Sequence, residues 1–324
     1  MTKVLAILCC AAALLFAGGA AAKDATKSIV IRAGKADSPS HALAVQFAEA
    51  VAVALNGAYT LDVQESQGSI QNVMDSRRAQ RDYLFTTGPN VITAARRGQK
   101  PFTPDPRYRR IRALFPMPAQ TVQWVVRKDS DIDTLASLAG RNFISGAKGS
   151  VAERVTTEAL ETLGILHEVQ IMDINVSAAV QALKAKQVSG FAIAGAYPLP
   201  SIADLAATTP IRLLAMPRPA LRRLLHADDS IAAELVPKDT YPGLDQDVTV
   251  LALPAGVYTT TRMADDVAYA ITKAFWSQRD ALVKKYPPWQ AANAAALATL
   301  GAELHPGALR YYREALINMP ANVR

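Results

Sequence analysis

The residues able to do chemistry in this chain are hydroxyls, amides and lysines. They gather in five short strings, each following an apolar run. Gly34-Lys35-Ala36-Asp37-Ser38-Pro39-Ser40-His41 offers a cation, a carboxylate, hydroxyls and a histidine, with Lys35, Ser38 and His41 as its candidate ligand contacts. Gly68-Ser69-Ile70-Gln71-Asn72 offers a tight turn, the Ser69 hydroxyl and the Asn72 amide. Thr86-Thr87-Gly88-Pro89-Asn90 sets the hydroxyls of Thr86 and Thr87 beside a flexible glycine. Gly146-Ala147-Lys148-Gly149-Ser150 leads into a helical pattern. There Lys148, Gly149 and Ser150 could cradle an anion with backbone N–H groups and one positive charge. This string is not a P-loop, because the GxxxxGK[ST] spacing is missing. Ala194-Gly195-Ala196-Tyr197-Pro198 lets Gly195 admit a close approach and Tyr197 cover a ligand. Gln120 is the remaining candidate, at a proline-marked break. Together these groups suit binding by hydrogen bonds and charge.

Each string also has a purely local reading. The first can be a capped surface turn with a solvated His41. The second can be a helix N-cap at Ser69. The third can be an Asx or ST turn. The fourth can be a plain strand-to-helix connection, and Tyr197 can be a ring packed on its own loop.

Signs of catalysis are weak. The histidines His41, His167, His226 and His305 form no HxxxH or HxH pair, so no metal site is expected. No GxSxG elbow occurs. Asp228-Asp229 and Asp265-Asp266 fall at helix edges, where capping and solvation explain them. Trp124, Trp276 and Trp289 read as packing residues. An enzyme would need Ser150 and His41 to meet across a cleft, and nothing in the sequence supports that geometry. No cofactor is called for.

The elements that must position these strings alternate. Strands are expected at 29–34, 61–66, 83–87, 111–117, 121–128, 142–147, 169–174, 191–196, 211–216 and 248–253. Helices are expected at 39–56 (apolar face Leu43, Phe47, Ala50, Ala54), 69–74, 149–163, 177–186 (capped by Ser177) and 264–285. Shorter ones open at Asn90 and His305. This alternation predicts an α/β fold with mostly parallel strands. Ten strands in one sheet would be uncommon, so two lobes are expected. Residues 23–119 and 250–324 would form lobe I, and residues 120–249 lobe II. The chain would cross near 118–120 and return near 245–251.

The chain has 324 residues, 35 Lys plus Arg against 28 Asp plus Glu, and a formal charge of +7. Arginine pairs (Arg77-Arg78, Arg109-Arg110, Arg222-Arg223) are scattered and aromatics are 6%, so no basic-aromatic stripe for nucleic acid exists. Residues 1–22 read as a signal peptide: Lys3, an apolar run over 4–17, then Ala20-Ala21-Ala22 before cleavage. Lipidation at Cys9 or Cys10 is disfavoured by Leu8 and by the short apolar lead. Both cysteines lie within that segment, so the mature protein would hold none. A periplasmic, soluble monomer is expected.

Several strings in order resemble the TAXI-type solute receptors of TRAP transporters. They are Gly68-Ser69-Ile70-Gln71-Asn72, Trp124-Val125-Val126-Arg127-Lys128-Asp129-Ser130, Leu135-Ala136-Ser137-Leu138-Ala139-Gly140-Arg141 and Gly146-Ala147-Lys148-Gly149-Ser150. Ala194-Gly195-Ala196-Tyr197-Pro198, Asp204-Leu205-Ala206, Ile211-Arg212-Leu213-Leu214, Thr240-Tyr241-Pro242-Gly243 and the stretch from His305-Pro306-Gly307 to Glu314 continue the series. The resemblance implies a type II periplasmic binding protein fold with two α/β lobes and a hinge crossed twice. It implies capture of a small organic anion, a dicarboxylate or acidic amino acid, for an ion-gradient-driven TRAP membrane permease. Three loops depart from the family. The GGTGGxYY form is replaced by Ala33-Gly34-Lys35-Ala36-Asp37-Ser38-Pro39-Ser40-His41, Gln-x-Asp by Thr86-Thr87-Gly88, and Gly-Thr after Ser150 by Val151-Ala152. Lys35 and Lys148, if they face inward, favour a ligand with one or two carboxylates. A ligand sensor signalling to a membrane kinase would carry the same sequence.

Overall fold

The computed structural model describes residues 27–36, 39–148, 150–173, 176–228 and 230–321. The proposed signal segment, Ser38 and Gly149 lie outside the described residues. Among the described residues no helix is long and apolar enough to cross a membrane.

Strands β1 (Lys27–Arg32), β2 (Tyr59–Gln64) and β3 (Tyr83–Thr87) are parallel, in the order β2-β1-β3. Each is followed by a helix: α1 (Pro39–Leu55), α2 (Ser69–Ser76) and α3 (Pro89–Arg97). Three parallel strands therefore point their carboxyl ends, and the helix N-termini that follow, at one edge. The buried face of α1 is Ala44, Phe47, Ala48, Val51 and Leu55. That face is turned slightly from the predicted one, and Ala54 is exposed. Phe47 packs its ring 5.0 Å from Phe115.

Two long strands, β4 (Ile111–Arg127) and β10 (Val248–Thr260), run antiparallel through the middle of the molecule. The sequence predicted a break in the first near Pro118. The structure has one continuous strand, because the irregularity falls in the pairing instead. Residues 118–119 have no register partner, and the register shifts between Leu253 and Ala255, at Pro254. Prolines are tolerated there, where no ladder N–H is required.

Beyond that point β4 carries β7 (Gly190–Gly195) and β8 (Ile211–Leu214), both antiparallel to it. β5 (Asn142–Ile144) lies parallel to β7 and to β6 (Gln170–Ile171), and β9 (Ala232–Val236) pairs with β10. All ten strands thus form one sheet. The expectation of separate sheets is corrected: β4 and β10 are long enough to belong to both halves.

The core nonetheless divides. One cluster draws on residues 29–117 and 257–319 and includes α8 (Asp265–Lys285) and α9 (Pro306–Glu314). Two more draw on residues 122–251 and cover opposite faces of the sheet. Alternate residues of β4 serve them: Val122, Trp124 and Val126 on one face, Val125 on the other. Helices α4 (Val151–Leu163) and α7 (Arg218–Ala227) cover the first face; α5 (Val176–Lys184) and α6 (Pro200–Ala206) cover the second. α5 starts at Val176, so Ser177 lies inside its first turn and not at its cap. All three tryptophans are structural, their indole N–H groups donating to Thr156, Tyr312 and Gln46.

Candidate functional site

The strand ends of the first half face the second half across a cavity of about 290 Å3. Ser40 and Leu43 of α1, Ser69 of α2, and Thr86, Thr87, Gly88, Asn90 and Val91 around the start of α3 form one wall. Val151 at the start of α4 faces them. Met117, Pro118 and Gln120 of β4 and Leu253, Pro254 and Ala255 of β10 make the floor. The strand pleat turns Gln120 and Pro118 into this cavity, while Ala119 lines a second crevice on the reverse face.

First-turn residues of α2, α3 and α4 meet in this one cavity. Gly68 and Gly88 cap α2 and α3 without any side-chain hydrogen bond; the first turn of α2 has N–H groups to offer a ligand or water, while in α3 Pro89 has no N–H and the Val91 N–H donates to the Gly88 carbonyl at 3.2 Å, leaving that of Asn90. Gly68 has φ 106°, a conformation that favours glycine. Ser69 is therefore the first helical residue, not the predicted cap. α4 differs: the Ser150 hydroxyl accepts from the Glu153 N–H at 3.1 Å. Gly146 turns into that helix at φ 126°, where a Cβ would lie 2.7 Å from the Glu153 nitrogen. No charged side chain lines the cavity among the described residues.

The predicted site residues divide. Ser69, Thr86, Thr87 and Gln120 line the cavity, and Ser150 adjoins Val151. Thr86 and Thr87 sit deep, 3% and 2% exposed, and the Thr86 hydroxyl donates to the Ala33 carbonyl at 3.1 Å. Lys35 and Lys148 are exposed and outside the lining, and His41 is half-buried on α1. Asn72 is fully buried and bonds backbone: its Nδ2 donates to Arg32, Ala33 and Thr86 carbonyls. Gly195 serves packing, since a Cβ would meet Leu199 at 2.6 Å. Tyr197 lies toward the reverse crevice, where its hydroxyl donates to the Leu235 carbonyl at 3.2 Å. Its neighbour Glu234 lines that crevice, and burial raises the Glu234 carboxyl to about 7.

The sequence offered Ser40 and Asn90 only as members of their strings, and the Leu253-Pro254-Ala255 floor was missed. Asn90 lay in a string already singled out, and Pro254 within an apolar run was the signal for the floor. Among the described residues no cluster of His, Cys, Asp or Glu could hold a metal. His305 is a core residue, 1% exposed, whose Nδ1 accepts from the Gly307 N–H at the start of α9.

The NMT1-like family matches residues 33–315. A TctC solute binding protein from Polaromonas superposes with a TM-score of 0.53 at 13% identity, over 85% of this chain and 88% of that one. MatC from Rhodopseudomonas palustris, solved with bound malate, gives 0.45 at 14% identity over 90% and 96%. A periplasmic sulfonate-binding protein SsuA from Methylobacillus flagellatus gives 0.47 at 14% over 90% and 88%. The first likeness shows a shared fold, that of type II periplasmic binding proteins.

Proposed function

The chain belongs to the NMT1-like family, and on that premise we propose that it is an exported receptor for a small organic anion. It is a binding protein of the periplasmic solute-binding class and not an enzyme. The observation that carries the anion reading is the convergence of three helix N-terminal turns on one cavity with two of them lacking side-chain caps. Such ends hold partial positive charge and aimed N–H donors. The hydroxyls of Ser40, Ser69, Thr86 and Thr87 and the amides of Asn90 and Gln120 supply neutral hydrogen bonds around them. A carboxylate bound this way needs no lysine in the wall.

The divided core supports two lobes, 23–119 with 250–324 and 120–249, hinged where β4 and β10 lose register. The ligand would dock on lobe I and be shielded when α4 approaches. Closure is driven by the ligand's extra affinity for the closed state. The closed form would deliver its solute to a membrane permease. A TRAP permease of the TAXI type is the partner that the ordered strings favour, and a dicarboxylate or acidic amino acid the solute.

The test is native mass spectrometry of the mature protein purified without added ligand, then denaturation and identification of what is released. A stoichiometric carboxylate supports the reading. An empty protein that no dicarboxylate or acidic amino acid stabilises against heat overturns it.

A further inference from the structure

Arginines of one stretch of sequence, 77–112, are gathered by the fold at one edge. α2 ends at Arg77-Arg78 and α3 at Arg96-Arg97; a 3-10 turn, Pro106–Arg110, adds Arg107, Arg109 and Arg110. These ends lie at the amino-terminal edge of β1 and β3, the pole away from the cavity. Arg77 and Arg107 share Asp105, at 3.8 and 2.6 Å, and Arg77 lies 5.6 Å from the centre of the Tyr108 ring. Arg96 bonds the carbonyl of Ile111, beside Arg112, and Arg262 joins from β10's end by donating to Ala79.

Residues 75–112 hold ten cations against three carboxylates, an excess that equals the formal +7 of the whole chain. The remaining residues hold equal numbers of cations and carboxylates, so the net charge of the sequence lies in this segment; in space Glu303, 3.0 Å from Arg112, offsets part of it. Complementing the negative ends of α2 and α3 accounts for Arg77 and Arg96-Arg97. It does not account for Arg107, Arg109 and Arg110 on the 3-10 turn, or for Lys100.

The composition of the pole points to its partner. Nine of its ten cations are arginine, whose planar fork matches phosphate oxygens two at a time. Its large apolar residues Phe102 and Tyr108 are buried beneath the charge, and the half-buried Tyr59 lines a cavity beside Arg81 at the same edge. Recognition by charge alone fits a flat array of phosphates. We propose that the arginine pole of the first half docks reversibly on an anionic phospholipid surface. The proposal rests on the reading that the chain is exported to a membrane-bounded compartment. It leaves the cavity, at the opposite edge, unobstructed while confining the receptor near the bilayer where a permease resides.

The test is co-sedimentation of the full mature protein with vesicles, which needs no solute and so stands or falls apart from the ligand reading. One set is phosphatidylcholine alone; the other contains about one-third phosphatidylglycerol. The expected result is binding only to the anionic set, abolished by high salt. Changing Arg78, Lys100, Arg109 and Arg110 together to Gln lowers partitioning more than about tenfold. Changing Lys184, Arg222, Lys238 and Lys284, exposed elsewhere, to Gln leaves it within about twofold. If the fourfold pole variant does not fold, the pairs Arg78→Gln with Lys100→Gln and Arg109→Gln with Arg110→Gln each reduce binding more than about threefold. Equal binding to neutral vesicles, or equal loss in pole and control variants, overturns the proposal. Binding to poly-glutamate without binding to anionic vesicles also overturns it, in favour of an acidic protein partner.

Discussion

The Nδ2 of Asn72 donates to the carbonyl of Thr86 at 3.0 Å, tying the first turn of α2 to the end of β3 beneath the cavity. The same amide group reaches the carbonyls of Arg32 and Ala33, both at 3.2 Å. An asparagine that looked like a ligand contact is the knot that holds two strand ends and a helix in register.

Asn72→Ala should therefore act on the fold first. It strands buried carbonyls and removes side-chain volume, at a cost of about 3 kcal/mol. Urea denaturation measures this. Unchanged stability with lost affinity would return Asn72 to the ligand.

Ser150 separates capping from binding. Ser150→Ala removes the bond to the Glu153 N–H and should cost about 1 kcal/mol. Ser150→Asp keeps a cap and so keeps the melting temperature, but places a carboxylate beside an anion site. Calorimetric titration of the released solute should show more than about a tenfold loss of affinity for the Asp variant.

Gly146→Ala forces a side chain into φ 126° and against the Glu153 nitrogen. The turn into α4 must shift, costing about 2 kcal/mol. Affinity should fall with stability, since α4 brings the opposite wall. A variant with native melting and native affinity would show that this turn is not what aims α4.

The cavity and the lysines give opposite expectations. Gln120→Ala should weaken solute binding by roughly tenfold, as loss of one hydrogen bond to a charged group does. Lys35→Ala and Lys148→Ala should change it less than about threefold, because both are exposed outside the lining. Salt dependence of the association rate would reveal any steering they provide.

Two buried groups set opposite pH limits. Burial raises the Glu234 carboxyl from 4.5 to about 7. The native state then holds a proton that the unfolded chain releases, so stability falls as pH rises from about 4.5 to about 7 and is level above. Glu234→Gln should remove that slope and add about 3 kcal/mol at pH 8. Burial lowers His305, so the native state resists the proton that the unfolded chain takes below about 6.5. That contribution is present above 6.5 and is lost as pH falls. Chemical denaturation of the two single variants across this range resolves the opposed slopes.

The order of strands and helices was legible in the sequence because apolar periodicity and caps are local. Gly164 ends α4 as read, though the helix starts at Val151 with Ser150 as its cap and not at Gly149, and Ser69, Thr86 and Thr87 from two of the strand-end strings do line one cavity. The direction of a side chain is not local. It depends on register and on what packs behind, so Asn72 turned inward and Tyr197 turned to the reverse face. Continuity of β4 through Pro118 depends on pairing with β10, a hundred and more residues away in sequence. The arginine pole likewise exists only once parallel strands bring the ends of α2, α3 and the 3-10 turn to one edge. From the chain by itself came an α/β protein with polar strand ends and the expectation of export. Tertiary structure decided which of those ends share a cavity, and that the charged stretch 75–112 faces away from it, because both depend on how the strands pair.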